Sequence, residues 1–149
     1  MKARTSVSIV IVVLVVMIIV VSCATDKGSY KREFRKDFVG TWVNPEYNKY
    51  RHAPDAKYVI QSDSLMLAYL TETSEWGSET TMRIDERWTD AQGYIYYKVY
   101  VLWTGGFVTY ELWRINDAKD TLEKNWYTGS YPDEINPKSG YYLIYYRQE

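Results

Sequence analysis

The sequence predicts an all-β domain, an eight-stranded antiparallel up-and-down barrel, preceded by an apolar N-terminal signal helix. Three observations support this prediction. The 6 Trp, 16 Tyr and 3 Phe all follow residue 23, and aromatic rings favour pleated surfaces. Short segments rich in aromatic and β-branched residues recur between turn signals, roughly every ten to fifteen residues, as in an antiparallel meander. Within these segments apolar and polar side chains alternate with the period of a strand.

The first 23 residues form an export signal. Lys2 and Arg4 precede a charge-free apolar run over residues 7–21, and the only cysteine of the chain, Cys23, follows it. A basic start, an apolar run of this length and a small residue before the cleavage point are typical of a secretory signal peptide. The segment Val20-Val21-Ser22-Cys23 resembles the bacterial lipobox, in which the cysteine is acylated before the peptide is cut.

This resemblance implies that the signal peptide, residues 1–22, is removed and that the mature lipoprotein begins at Cys23, held to a membrane by acyl chains. Two or more chains anchor a protein firmly. Ala24 stands where an aspartate would signal inner-membrane retention in many Gram-negative bacteria, so the resemblance favours the outer membrane of a bacterial cell envelope. The alternative is an uncleaved transmembrane anchor, although the run is shorter than the roughly 20 apolar residues that a span needs.

Charge and composition exclude several classes of function. Two of the 18 basic side chains lie in the signal peptide, so 16 remain in the mature chain against 19 acidic ones. This mildly acidic composition lacks the basic stripe that nucleic-acid binding needs. With its one cysteine acylated, the chain cannot form an internal disulfide. Residues 23–37 are polar and are interpreted as a tether, and residues 38–149 form one domain, which we expect to be monomeric.

Eight strands are predicted between turn signals, over residues 39–44, 57–61, 64–71, 80–88, 94–103, 107–115, 121–127 and 141–147. In the fourth, alternation predicts Met82, Ile84 and Trp88 on one face and charged side chains on the other. The Thr104-Gly105-Gly106 segment after the fifth supplies the positive φ angles of a tight hairpin. Two connections, residues 45–56 and 128–140, are long and contain proline, and loops of this length are more often functional than short hairpins.

Closure of eight short strands into a barrel protects both sheet edges, and a two-sheet sandwich is the alternative. Phe38-Val39-Gly40-Thr41-Trp42 resembles the Phe-x-Gly-x-Trp motif that opens the first strand of lipocalins and fatty-acid-binding proteins. In that family the tryptophan closes one end of the barrel, and a basic side chain of the last strand packs on its ring. The resemblance therefore implies a lipocalin-like barrel in which Gly40, Trp42 and Arg147 form the closing signature. Arg114 is the alternative basic partner.

Catalytic and metal sites are not predicted. His52 is the only histidine, so neither a catalytic triad nor a typical zinc site can be assembled. A single histidine in the loop after the first strand could ligate haem, but we favour the simpler interpretation, a solvated loop histidine. We therefore expect a protein that is not an enzyme and that has no cofactor.

Two charged residues in the predicted strands need a separate explanation. Glu111 and Lys124 each lie mid-strand between same-side neighbours that are mostly apolar. If both face inward, they form a buried pair or a polar hook for a ligand, because an unpaired buried charge costs several kcal/mol. The alternative is that one or both face water.

Two kinds of non-catalytic function are consistent with this sequence. In the first, the barrel binds a small apolar or aromatic ligand, with a candidate lining of Tyr58, Leu67, Trp88, Tyr97, Trp103, Tyr110 and Trp126. These rings could instead fill the interior of a small barrel completely. In the second, the filled barrel is a scaffold whose outward tyrosines, Tyr94, Tyr96 and Tyr100 among them, bind an envelope protein or glycan.

Overall fold

The computed structural model describes residues 31–46, 56–69 and 75–149. Within these ranges the chain forms a short helix, α1, over residues 31–38 and eight strands. The strands are β1 (Gly40–Val43), β2 (Lys57–Ile60), β3 (Leu65–Tyr69), β4 (Ser78–Thr89), β5 (Ile95–Leu102), β6 (Val108–Ile115), β7 (Thr121–Tyr127) and β8 (Tyr142–Gln148). Their bounds lie within two residues of the predicted ones wherever the chain is described.

The strands form a closed barrel in sequence order, and every neighbouring pair is antiparallel. Closure occurs between β1 and β8, where Trp42 lies opposite Arg147. The predicted eight-stranded up-and-down barrel is therefore confirmed, and the sandwich is excluded. Successive side chains point alternately to the core and outward, as in β5, where Ile95, Tyr97, Val99 and Val101 are all buried.

The two ends of the barrel differ. We call the end that carries α1 the lower end; the turns over residues 61–64, 90–94 and 116–120 lie there too. The other four connections, those after β1, β3, β5 and β7, start and end at the opposite end, which we call the upper end. Both predicted hairpin glycines in this end, Gly105 and Gly106, have positive φ angles of 93° and 86°.

A β-bulge between Ile84 and Glu86 changes which side chains of β4 face the core. Met82 and Ile84 face inward before the bulge. Beyond it Arg87 lies on the inner side and Trp88 faces outward, because one extra residue reverses the alternation. The prediction that Trp88 shares the inner face with Met82 and Ile84 is therefore wrong.

Helix α1 belongs to the barrel domain and closes its lower end. Phe34, Asp37 and Phe38 are completely buried, and Arg35 donates to Asp63 in the turn after β2 at 2.9 and 3.1 Å. The interpretation of residues 23–37 as a polar tether is therefore wrong for residues 31–37, since two apolar rings four residues apart give α1 a buried face. Residues 23–30 of that segment lie outside the described ranges.

Residues 128–140, between β7 and β8, lie along the outside of the barrel and are called the outer strap. The Tyr131 ring packs edge-on against Tyr110 of β6, and its hydroxyl donates to Asp85 of the β4 bulge at 2.6 Å. Asn125 of β7 accepts a hydrogen bond from the Asn136 amide at 2.7 Å. These contacts cover part of the outer surface, and Asn125 is completely buried although it points away from the interior.

Candidate functional site

The closing signature assembles at the lower end. The Arg147 guanidinium lies 4.7 Å from the centre of the Trp42 ring, and Trp42 is completely buried. The Trp42 Nε1–H donates to the Phe38 carbonyl at 2.7 Å, and Arg147 donates to the Asp37 carbonyl. Burial lowers the pKa of Arg147, an effect that the nearby Asp37 opposes. The cation–π contact expected for Arg147 is present, whereas Arg114 lies on the outer face over Tyr94.

Four of the seven predicted lining residues contribute to the interior. Tyr58 and Tyr97 are completely buried, and Trp103 and Trp126 are half-buried and pack against the core. The other three face outward: Leu67, Trp88 and Tyr110. Leu67 lies between the buried Met66 and Ala68 and Tyr110 between the buried Thr109 and Glu111, so strand alternation places both outside, while the bulge reverses Trp88.

Glu111 and Lys124 form a buried ion pair inside the barrel. Their side chains are 0 % and 1 % exposed, and Lys124 Nζ lies 2.8 Å from Glu111 Oε2. The register of β6 and β7 pairs Trp113 with Lys124 and Glu111 with Trp126, so the two charges are diagonal neighbours on the inner face. The possibility that both residues face inward is therefore correct, and the solvent-facing alternative is excluded.

Hydrogen bonds from neighbouring side chains complete this buried network. Glu111 Oε2 also accepts from Trp113 Nε1–H at 2.7 Å, and its Oε1 accepts from the Thr109 hydroxyl at 2.6 Å. The Trp103 indole donates in turn to Thr109 Oγ1 at 2.9 Å. Both oxygens of Glu111 thus accept from protein donors, which holds the carboxylate in one orientation.

The Lys124 ammonium retains one hydrogen-bond donor. It donates to Tyr58 Oη at 2.9 Å and to Glu111, and it lies 4.9 Å from the centre of the Tyr58 ring and 5.6 Å from that of Trp103. A lysine has three N–H donors, and the residues that the structure describes offer no acceptor to the third. The interior therefore holds a fixed cation between aromatic rings, and the third N–H of that cation has no acceptor among the described residues.

A second buried polar cluster, at the lower end, was not predicted from the sequence. Asp37 Oδ2 accepts from the Tyr97 hydroxyl at 2.8 Å, and Lys119 Nζ lies 2.6 Å from Asp37 Oδ1. Arg87 donates to Tyr97 Oη at 3.0 Å. Burial raises the pKa of Tyr97 far above its ordinary value. The nearby Asp37 adds to this rise, whereas Arg87 opposes it. This cluster ties α1 to β5 and the β6–β7 turn. In the sequence, this cluster is indicated by the charged residue Asp37, which lies between Phe34 and Phe38.

The tyrosines proposed for surface interaction are already engaged within the molecule. Tyr94, Tyr96 and Tyr100 are all half-buried on the outside. Arg114 lies over the Tyr94 ring at 4.7 Å and Arg83 over the Tyr100 ring at 4.5 Å. Tyr96 stacks on Trp88 and donates to Asp90 at 3.0 Å.

The remaining predicted sites lie outside the described ranges: the signal peptide, Cys23 and His52. Within those ranges no three His, Cys, Asp or Glu side chains are placed to hold a metal ion, and no helix has the length and apolar character of a membrane span. No protein-family model matches the chain, and no curated protein or solved structure shows significant similarity to it.

Proposed function

We propose that this protein is a lipid-anchored component of the bacterial envelope, acylated on Cys23, whose lipocalin-like barrel binds a small ligand without catalysis. The ligand is an aromatic or apolar molecule that carries an oxygen acceptor such as a carboxylate. Its acceptor would bind the free N–H of Lys124, and its apolar part would lie against the Tyr58 and Trp103 rings. The observation that carries this proposal is the buried ammonium with an unused donor.

The energetics of the pair support a binding role. Removing an ammonium and a carboxylate from water costs several kcal/mol per ion, and their attraction seldom gives a large net gain in stability. An apolar pair of similar volume would serve a purely structural interior at least as well. Glu111, held by three donors, fixes the position of Lys124 and partly neutralises it. A ligand therefore meets a preorganised donor, and little ordering is needed on binding.

The direction of ligand entry follows from the two ends of the barrel. At the lower end the rings of Phe34 and Phe38 on α1 and the ring of Trp42 are completely buried. Trp103 and Trp126, which are only half-buried, lie toward the upper end. A ligand would thus enter from the upper end, between these two indoles, and reach Lys124 below them.

Native mass spectrometry of the full chain, released from detergent micelles, tests the proposal. We expect the wild-type protein to carry a co-purifying small molecule, or to bind indole-3-acetate or cinnamate when these are added. Lys124→Met should abolish this adduct. Lys98→Met is the matched control, since Lys98 faces outward and pairs with Glu86 at 2.6 Å.

Two results would contradict ligand binding at Lys124. One is an unshifted mass in every sample, including those with added aromatic carboxylates. The other is an adduct that is equally abundant in Lys124→Met and in the wild type. Near-ultraviolet circular dichroism of each variant reports whether the aromatic core remains packed.

A further inference from the structure

A pocket lies at the upper end, on the rim of the barrel. It occupies about 180 Å³, is half-open to solvent, and is called the rim pocket. Its lining combines the end of β7, the start of the outer strap and the residue before β8: Trp126, Tyr127, Thr128, Gly129, Ser130 and Tyr141. The Trp126 amide donates to the Tyr141 carbonyl at 3.3 Å, which holds the two sides of the pocket together.

Three aromatic rings give the rim pocket a rigid apolar wall. Tyr141 packs edge-on against Trp126 and Tyr127, with ring centres 5.0 and 5.5 Å apart. Tyr127 and Tyr141 remain 38 % and 49 % exposed, whereas Trp126 packs against the barrel core. Aromatic side chains of this kind supply contact area with little loss of conformational entropy.

The rest of the lining is polar and uncharged. Residues 128–130 are all exposed, and within the described part of the chain no hydrogen bond engages their hydroxyls, amides or carbonyls. Gly129 has no side chain, and a Cβ placed there would meet nothing within 4 Å, so a ligand can approach its backbone closely. The six lining residues include no charged side chain.

We propose that the rim pocket binds one ring of a neutral saccharide. A pyranose combines an apolar C–H face with a rim of hydroxyl groups, which matches a lining that combines aromatic rings with free hydroxyls and backbone groups. A charged ligand would find no counter-ion in this pocket, and an acyl chain would leave the polar wall without partners. Because the pocket is half-open, the remainder of an oligosaccharide can extend from it.

Other loops of the upper end are consistent with a longer sugar chain. Trp76 precedes β4 and is 88 % exposed, and Phe107 precedes β6 and is 51 % exposed. The up-and-down topology places these loops at the same end as the rim pocket. The exposed rings therefore offer further surfaces on which successive sugar rings could stack.

The test uses the full chain in micelles of a detergent without sugar headgroups. Cellotetraose, maltotetraose and the tetramer of N-acetylglucosamine are titrated by calorimetry, and saturation-transfer NMR identifies the ligand protons in contact. We expect at least one tetrasaccharide to bind, with saturation concentrated on the C–H face of one ring. Tyr141→Ala and Tyr127→Ala should each weaken it about tenfold, as loss of an exposed aromatic contact does.

Tyr146→Ala is the matched control, because Tyr146 is 46 % exposed on β8 but pairs with Thr121 at the lower start of β7, away from the rim pocket. It should leave saccharide affinity unchanged. The proposal is overturned if none of the three tetrasaccharides binds, or if Tyr146→Ala weakens binding as much as Tyr141→Ala does. It is also overturned if Tyr127→Ala and Tyr141→Ala weaken binding of an envelope protein while no saccharide binds. Lys124→Met should not alter saccharide affinity, so this site is tested independently of the barrel interior.

Discussion

At the scale of single residues, the buried pair of Glu111 and Lys124 decides the character of the interior. A carboxylate and an ammonium 2.8 Å apart attract strongly in a medium of low dielectric constant, and that attraction offsets the cost of removing both from water. The sequence indicated both residues because each charge interrupts an apolar face. It could not decide their orientation, because one residue of register moves a side chain to the opposite face.

A double-mutant cycle tests the coupling of these charges. Lys124→Met leaves a buried carboxylate without its cation. Glu111→Gln leaves a buried ammonium without its anion and keeps one oxygen that can accept from Trp113 or from Thr109. Each single change should lower the free energy of unfolding by about 3–5 kcal/mol. The double variant should lose several kcal/mol less than the sum of the two, measured by urea denaturation. Strictly additive losses would mean that the charges do not interact.

At the scale of elements, α1 acts as the plug of the barrel. Phe34 and Phe38 stack with their ring centres 4.7 Å apart, and both meet Tyr97 edge-on at 5.4 and 5.0 Å. The polar composition of residues 24–36 concealed this role, since only one aromatic ring of α1 precedes the predicted start of the domain. The helix packs against the open lower end of the barrel, and this end exists only after β1 and β8 pair.

Truncation of the plug tests its contribution to stability. Phe34→Ala should lower the free energy of unfolding by about 3–5 kcal/mol, since it leaves a cavity among buried rings. Arg32→Ala is the control, because Arg32 is exposed on the same helix. If both variants unfold at the wild-type urea concentration, α1 is dispensable and the tether interpretation regains support.

The outer strap is held to the barrel by a hydrogen bond that depends on protonation. Burial raises the pKa of Tyr131 above its ordinary value, and its hydrogen bond to Asp85 adds to the rise. Arg83, which donates to Asp85 at 2.6 and 2.9 Å, lowers the pKa of that carboxyl. Tyr131 thus donates to a carboxylate that stays ionised at neutral pH.

Alkaline pH should therefore weaken the strap. A tyrosine whose pKa is raised by folding stabilises the native state fully below its unfolded pKa, near 10, and this stabilisation is lost as pH rises through the folded value. We expect the urea midpoint to fall as the pH rises above about 10. The fall should be smaller in Tyr131→Phe, which has no phenol to ionise. An identical pH dependence in both proteins would exclude this role for Tyr131.

At the scale of the whole molecule, the proposed anchor and the two ends of the barrel are related. Residue 31, where the described part of α1 begins, lies eight positions after Cys23, and a fully extended chain of that length spans at most about 29 Å. In the anchored form proposed above, the lower end would therefore lie toward the membrane. The upper end, with the entry to the barrel and the rim pocket, would lie away from it.

Replacement of the single cysteine tests the anchor. In the wild type we expect a mature N-terminus at Cys23 whose intact mass includes acyl chains, and recovery of the protein with membranes. Cys23→Ser should lack the acyl mass and should not be cut after Ser22, since lipobox processing acts on the acylated cysteine. Ser22→Ala is the control, because a small residue remains before the cysteine. An unacylated wild-type protein would contradict the proposal.

The sequence by itself determined the number of strands, their approximate bounds and the identity of the closing residues. Strand alternation, turn residues and the motif from Phe38 to Trp42 are local signals, and closure of a barrel of short strands follows from the need to pair both edges. Only the tertiary structure decided the remainder: the reversal at the β4 bulge, the α1 plug, the outer strap and the inward pairing of Glu111 with Lys124. Each of these depends on contacts between segments distant in the sequence, and such contacts are set by register and packing rather than by the composition of any one segment.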